Sequence, residues 1–192
     1  MKPKQCYIDT AMSLDTLPAN APTADATLLP APWRPMRASD LAAVEALGNR
    51  IHAALPESST VFAERCALFP AGSWVAEHRG HLAAYALFHP WRALQPPPLD
   101  SLLGAIPATA DTLYLHDVVV DPVRRSLGLA GTMIERLPMI ARSLSLSSIE
   151  LIAVLGTANF WRGHGFAAVE DPALAAALAK YGDGACLMRR SL

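Results

Sequence analysis

The sequence is poor in charged residues and has no excess of charge of either sign. Charged residues make up 17% of its 192 residues, with 16 Lys and Arg against 17 Asp and Glu and a formal net charge of -1. This balance provides no attraction to a polyanion, so nucleic acid and anionic membrane surfaces are not expected partners. Because 52% of the residues are hydrophobic, the composition also argues against a disordered chain.

Long apolar runs and paired cysteines are also missing. No run approaches the ~18 residues of a membrane span, and the first residues lack the apolar core of a secretory signal. Cys6, Cys66 and Cys186 lie far apart without a CxxC pair, so they predict neither a disulfide framework nor a zinc site. The histidines also lack metal-ligand spacing. We therefore expect a cytoplasmic protein with reduced thiols and no metal.

Prolines and small residues set an amino-terminal segment apart from the rest. Residues 1–32 are predicted to form a flexible extension, followed by one domain over residues 33–192. The sequence pattern predicts helices over 41–51, 58–68, 129–143, 158–164 and 172–180, and extended segments over 33–37, 73–77, 82–88, 113–120, 149–155, 165–170 and 185–190. Strands and helices in this order predict an α/β (α+β) domain with a mixed sheet.

A proline-rich stretch interrupts these elements. Residues 89–112 contain five prolines and are predicted to form a long irregular connection, with one helical turn over Leu99–Leu103. Long connections in compact domains are usually functional. Trp91 is either a structural anchor of this connection or part of a substrate cleft.

The segment from Tyr114 to Thr132 has the pattern of a phosphate site. Its Val-rich strand ends at Asp121 and leads through a turn with two adjacent arginines into a helix with Gly128 and Gly131. The first amides of such a helix are unpaired and lie at the positive end of its dipole, where an anion binds. Neither GxGxxG nor GxxxxGK[ST] is present, so a Rossmann dinucleotide site and a P-loop are not supported.

Two blocks of sequence resemble the GCN5-related N-acetyltransferases (GNAT). Residues 125–130, RSLGLA, match the family's [RQ]-x-x-G-x-[GA] signature. Residues 159–166, NFWRGHGF, are similar to its later N-x-F-Y-x-x-x-G-F segment. The order of the blocks extends the resemblance over roughly residues 33–190, which makes an incidental match less plausible than one motif alone would.

The resemblance implies a mostly antiparallel sheet with splayed central strands, and a binding site for acetyl-CoA as acyl donor. The amides from Ser126 to Thr132 would bind the pyrophosphate, and the pantetheine arm would lie along the preceding strand. The implied cofactor-binding residues are Val118, Val119, Val120, Arg124, Arg125, Ser126, Leu127, Gly128, Leu129, Ala130, Gly131, Thr132, Asn159 and Trp161.

His116 is the best-placed candidate for a general base, because its ordinary pKa is near 6.5 and it precedes the valines. The alternative is a half-buried histidine without a role in proton transfer. Period-2 alternation predicts that Tyr114, His116 and Val118 share one face of the strand, and that Leu115, Asp117 and Val119 share the other. On that other face, Asp117 is expected to cap a loop or hold backbone.

One residue departs from the family pattern. Trp161 occupies the position of the usual tyrosine that protonates the leaving thiolate, and an indole cannot act as an acid near pH 7. Tyr114 or a water molecule would replace it. Residues 115–120, LHDVVV, are also similar to a strand of the arylalkylamine N-acetyltransferases in which a histidine serves the amine.

These observations predict an N-acetyltransferase that moves acetyl from acetyl-CoA to a primary amine of a small molecule, by direct attack in a ternary complex. Two alternatives stay open: a protein or peptide N-acetyltransferase, and a non-catalytic acyl-CoA sensor, which Trp161 would help to explain. A homodimer is left open as the assembly.

Overall fold

A seven-stranded sheet forms the centre of the protein. The computed structural model describes residues 32–192, so the predicted extension lies, apart from Pro32, outside the described residues. The strands are Trp33–Pro35 (β1), Ser73–His78 (β2), His81–Trp91 (β3), Thr112–Val120 (β4), Ser148–Ala153 (β5), Ala167–Ala168 (β6) and Cys186–Ser191 (β7). They lie in the order β1-β2-β3-β4-β5-β7-β6. Only β4 and β5 pair in parallel, so the predicted mixed, mostly antiparallel sheet is confirmed.

Helices flank the sheet. They are Leu41–Ile51 (α1), Ser59–Leu68 (α2), Leu129–Ser143 (α3), Ala158–Gly163 (α4) and Ala175–Leu178 (α5). The bounds of α1 and α3 coincide with those predicted, because each helix has a clear apolar stripe: α1 buries Val44 and Leu47, and α3 buries Met133 and Leu137. Within residues 32–192, no helix has the length and apolar character needed to cross a membrane.

The proline-rich connection differs from its prediction. Strand β3 continues to Trp91, and no helical turn forms over Leu99–Leu103. The backbone there bonds to side chains of α2 instead: the Leu103 amide donates to Glu64 Oε2 at 2.7 Å, and Arg65 Nη2 donates to the Ser101 carbonyl at 2.8 Å. Trp91 donates to the Gln95 carbonyl at 2.7 Å, so it anchors the connection.

The carboxyl-terminal elements are shorter than predicted. Only Ala167 and Ala168 of the strand expected over 165–170 pair with β7. The helix expected over 172–180 is a single α-helical turn, α5, between two 3-10 turns. Gly182, with φ of 89°, ends this region in a conformation that a helix cannot continue.

Two apolar clusters cover the two faces of the sheet. The larger packs α3 against the sheet through residues such as Leu113, Leu115 and Ile134. The smaller joins α1 and α2 to the opposite face through Phe62, Tyr85 and Val119.

The sheet opens between β4 and β5. These strands pair only over Thr112–Tyr114 with Ser148–Glu150. At that end the side chains also join them, because the Ser148 hydroxyl donates to Thr112 Oγ1 at 2.9 Å and Thr112 donates to the Ser148 carbonyl at 3.1 Å. After Tyr114, β4 continues to pair with β3 but no longer pairs with β5, which continues to pair with β7. One edge of the second half of β4 is therefore free. The predicted splay of the central strands is confirmed.

Candidate active site

A cleft of about 650 Å³ occupies the gap between β4 and β5. The second half of β4, the end of α1, the start of α3 and helix α4 form its walls. The lining residues are Ile51, His52, Leu115, His116, Asp117, Val118, Val119, Val120, Arg125, Gly128, Ala130, Gly131, Ile152, Val154, Thr157, Phe160, Trp161 and His164. The three predicted valines and Trp161 therefore lie in one cavity with the start of α3.

The amino terminus of α3 is free to bind an anion. The N-cap residue Gly128 has φ of 69° and provides no side-chain cap. The first hydrogen bond of the helix runs from the Thr132 amide to the Gly128 carbonyl at 3.1 Å, so the amides of Leu129, Ala130 and Gly131 have no acceptor within the helix. The Thr132 amide takes part in that first helical bond, so this geometry favours the three amides before it as phosphate donors.

The two arginines of the turn lie in different places. Arg125 lines the cleft. Arg124 forms an ion pair with Asp121 and faces a separate groove beside α1, together with Arg50 and Leu82. This geometry does not favour the predicted contact of Arg124 with the cofactor, because Asp121 holds the side chain on the other side of the turn.

Some predicted cofactor residues do not line the cleft. Asn159 is exposed, and its Oδ1 accepts a hydrogen bond from Arg162 Nη1 at 2.6 Å. Leu129 is buried in the core, so it can offer only its backbone amide. Ser126 and Leu127 belong to the exposed 3-10 turn that precedes α3. By contrast, a Cβ added at Gly131 would meet no atom within 4 Å, which leaves the helix end open to the cleft.

A β-bulge at His116 changes the faces of β4. Leu87 pairs with Asp117 and the next residue, Phe88, pairs with Leu115, so His116 has no partner on β3. The predicted alternation is therefore wrong beyond this point. Tyr114 and His116 do lie in one pocket, but Asp117 turns to that same side, whereas Val118 packs against the α3 cluster.

A smaller pocket of about 70 Å³ adjoins the cleft at the bulge. Its lining residues are His52, Leu55, Glu57, Leu99, Tyr114, His116, Asp117, Ile152, Val154 and Tyr181. Two imidazoles and two carboxylates thus surround a space that opens beside the free edge of β4. We refer to this space and its lining as the acceptor pocket, because the sequence predicts an amine acceptor beside His116.

Glu57 faces His116 across the acceptor pocket. Its Oε2 lies 3.0 Å from His116 Nε2, but the two atoms do not form a hydrogen bond of normal geometry. The Glu57 backbone is fixed by both ends of the Asn49 amide group at 3.0 Å, and its Oε1 accepts from the Asp100 amide at 3.3 Å. The carboxylate is therefore held between the base candidate and the proline-rich connection.

Two tyrosines form the far wall of the acceptor pocket. Tyr114 and Tyr181 both line it, and the Tyr181 hydroxyl donates to the Pro97 carbonyl at 2.9 Å. Burial raises the pKa of Tyr114 well above its usual value and raises the pKa of Tyr181 to about 12. Tyr114 is buried and does not line the larger cleft, so this geometry does not favour it as the acid for a thiolate.

A second hydrogen-bonded group surrounds Asp117. The Tyr85 hydroxyl donates to Asp117 Oδ2, and His52 Nε2 lies 3.3 Å from Oδ1. The hydrogen bond with Asp117 raises the pKa of His52 despite its burial. Gly48 makes this arrangement possible, because a Cβ there would lie only 2.4 Å from the Tyr85 hydroxyl oxygen.

Sequence reasoning missed four residues of this pocket. Glu57, His52 and Tyr181 lie far from β4 in sequence, and Asp117 was assigned to the wrong face. No local motif marks them, although Asn49 and Glu57 bracket the turn between α1 and α2.

Over residues 32–192, no three His, Cys, Asp or Glu side chains are grouped to hold a metal ion.

Comparisons with known proteins agree with this architecture. The model of the acetyltransferase (GNAT) family matches residues 40–166. A search of curated protein sequences gave no significant match.

Many solved structures share the fold. Ard1 from Thermoplasma volcanium is 13% identical, with a TM-score of 0.64 over 83% of this chain and 96% of that chain. The GNAT-like decarboxylase GphF, in complex with isobutyryl-CoA, is 21% identical, with a TM-score of 0.66 over 83% and 98%. N-acetylglutamate synthase from Neisseria gonorrhoeae, complexed with coenzyme A and N-acetyl-glutamate, is 16% identical, with a TM-score of 0.63 over 83% of this chain and 34% of that chain.

Proposed function

The chain belongs to the acetyltransferase (GNAT) family and is an acyltransferase, and on this premise we propose that it transfers acetyl from acetyl-CoA to a primary amine of a small molecule. The amine attacks the thioester directly while both substrates are bound. The observation that carries the proposal is the opening between β4 and β5, which joins the free end of α3 to the acceptor pocket. Coenzyme A complexes of the similar folds support the same donor.

The donor half of the site uses mainly backbone. The pyrophosphate would accept from the amides of Leu129, Ala130 and Gly131, where the helix dipole favours negative charge, with Arg125 beside it. The pantetheine arm would pair with the free edge of β4 at Val118 and Val120 as an added strand. A strand amide near Val118 would then polarise the thioester carbonyl.

The acceptor half supplies the base. At pH 7 an alkylamine with a pKa near 10.4 is about 5 kcal/mol from its neutral, nucleophilic form. His116, directly or through water, would remove the amine proton, which is typically worth about 10²- to 10⁴-fold in rate. Glu57, 3.0 Å away, would stabilise the imidazolium that forms.

The leaving group needs no acid from the protein. With a pKa close to 8.5, a thiol leaves as thiolate at pH 7 at a cost of about 2 kcal/mol. Trp161 contributes shape to the cleft, where its ring packs edge-on against Phe160 and Phe166. Tyr114 forms part of the acceptor wall, and water protonates the thiolate.

Release of free thiol from acetyl-CoA over a panel of small amines tests the proposal. We expect His116→Ala to lower kcat about 10²-fold or more while the Kd for acetyl-CoA, measured by calorimetry, stays within about twofold. His81→Ala is the matched control, because His81 is exposed at the β2–β3 turn, away from the cleft. Full kcat in His116→Ala at neutral pH would refute the base assignment, and failure to bind acetyl-CoA would refute the proposed function.

Membership of the acetyltransferase (GNAT) family argues against a sensor that binds acyl-CoA without turnover, although Trp161 in the acid position fits such a sensor. A protein or peptide amine is the alternative acceptor. A peptide that is turned over faster than every small amine would support the alternative acceptor, and tight acetyl-CoA binding without any thiol release would support the sensor.

A further inference from the structure

The acceptor pocket contains carboxylates but no strong cation. Glu57 and Asp117 both line it, and their side chains are only 12% and 14% exposed. None of the residues that line the pocket is Lys or Arg. The formal charge of the pocket therefore depends on these two carboxylates and on the two imidazoles.

The imidazoles do not reverse this charge. His52 lies 3.3 Å from Asp117, and His116 lies 3.0 Å from Glu57, so each imidazole has its own carboxylate. With both imidazoles protonated the pocket would be neutral overall, and with either one neutral it carries negative charge. As long as both carboxylates are ionised, the lining has no net positive charge.

Neither Arg65 nor Arg125 lines the acceptor pocket. Arg65 is buried behind it, where Nη1 donates to Glu64 at 2.6 Å and Nη2 donates to the Ser101 carbonyl at 2.8 Å. Arg125 lines the larger cleft at the start of α3 and does not line the acceptor pocket. A carboxylate on the acceptor would therefore enter a small, partly apolar space without a cation to meet it.

We propose that the acceptor is a compact amine without a carboxylate or phosphate next to its amino group, and that Asp117 and Glu57 exclude such acidic amines. This inference rests on the proposed function and specifies its acceptor. Loss of water from a carboxylate is costly unless the charge is paired, and like charges brought together add to that cost. An ammonium group meets the opposite situation, because both carboxylates attract it before its proton is removed.

Asp117 is the specificity-determining residue that can be tested most cleanly. It lies on the bulge beside His116, and the Tyr85 hydroxyl fixes its orientation. Asn keeps the shape and can still accept from Tyr85, so Asp117→Asn removes charge with little change in packing. Glu170→Gln is the matched control, because it removes one negative charge at an exposed position outside both cavities.

The experiment compares three amines with the same propyl group: butylamine, norvalinamide and norvaline. Norvalinamide and norvaline have nearly the same size but differ in the charge of one group and, as a result, in the pKa of the amine. Rates of thiol release are therefore compared per concentration of neutral amine, from the pKa titrated for each compound. On this basis we expect kcat/KM to be about tenfold or more lower for norvaline than for norvalinamide. Asp117→Asn should reduce the ratio of kcat/KM for norvalinamide to kcat/KM for norvaline at least about threefold, and Glu170→Gln should leave this ratio unchanged.

Several results would overturn the proposal. Use of norvaline as efficiently as norvalinamide would refute it, and so would equal rejection of both compared with butylamine, because size would then decide. An unchanged ratio in Asp117→Asn would refute the role of that residue; if this variant does not fold, Glu57→Gln provides the same comparison. Failure of acetyl-CoA binding would instead refute the proposed function, and the acceptor assignment with it.

Discussion

Burial of His89 should make the protein sensitive to acid. The imidazole lies on β3, 1% exposed, with Nδ1 3.1 Å from the Pro90 carbonyl and its ring against Trp91 and Tyr114. Nε2 is buried and has no hydrogen-bond partner among residues 32–192. Burial lowers the pKa of His89 from 6.5 to about 3. The folded state therefore keeps this histidine neutral, where the unfolded chain would protonate it.

The direction of the effect follows from proton binding. Between about pH 6.5 and about pH 3 the unfolded chain binds a proton at His89 that the folded protein does not, so the free energy of unfolding falls as the pH falls. At 1.36 kcal/mol per unit of pKa, the loss over the full window is about 5 kcal/mol. Between about pH 7.5 and about pH 5 it is about 2 kcal/mol.

His89→Phe isolates this contribution, because the other acid-sensitive groups remain in both proteins. Urea unfolding at a series of pH values should show that the wild-type protein loses about 2 kcal/mol more than His89→Phe between about pH 7.5 and about pH 5. A difference in the free energy of unfolding that is the same at every pH reflects only the change in packing. His81→Gln, at an exposed histidine, should follow the wild-type curve. Parallel curves for wild type and His89→Phe would refute the argument.

Two further predictions concern the donor site. Gly131→Asp should raise the Kd for acetyl-CoA about tenfold or more without lowering Tm, because a carboxylate in the first turn suits the dipole of α3 but repels a pyrophosphate. Calorimetry measures the Kd and thermal unfolding measures Tm. An unchanged Kd would contradict the prediction. Arg125→Ala should raise the Kd for acetyl-CoA about fivefold. Arg124→Ala breaks only the ion pair with Asp121, so it should change this Kd by no more than about twofold. Equal effects of the two variants on the Kd would contradict the prediction.

Elements with a strong local pattern could be predicted from the sequence. Helix α3 has both its predicted bounds, since Gly128 and an apolar stripe mark it without help from the rest of the chain. The expected strand over 165–170 is mostly absent, because only Ala167 and Ala168 form hydrogen-bonded pairs with β7, and this pairing depends on a distant part of the chain. The turn over Leu99–Leu103 is also absent, since Glu64 and Arg65 bind that backbone from a distant helix.

The bulge at His116 shows a different limit. Period-2 alternation is a property of a regular strand, and one extra residue reverses it for everything that follows. The register of β3 against β4 decides where the extra residue lies, and no residue type in β4 marks the position. As a result, the sequence indicated a role for His116 but not the position of Asp117, whose side chain lines the acceptor pocket because of the bulge.

The two halves of the site differ in how the chain builds them, and this explains which half was predictable. Most of the donor half comes from the continuous stretch between Val118 and Gly131, so a short motif can represent it. The acceptor pocket takes side chains from the α1–α2 turn, the bulge, the proline-rich connection and Tyr181 near α5. Because these segments are separated along the chain, we predict that a substitution in one of them can alter the proposed choice of amine without disturbing the proposed acetyl-CoA site.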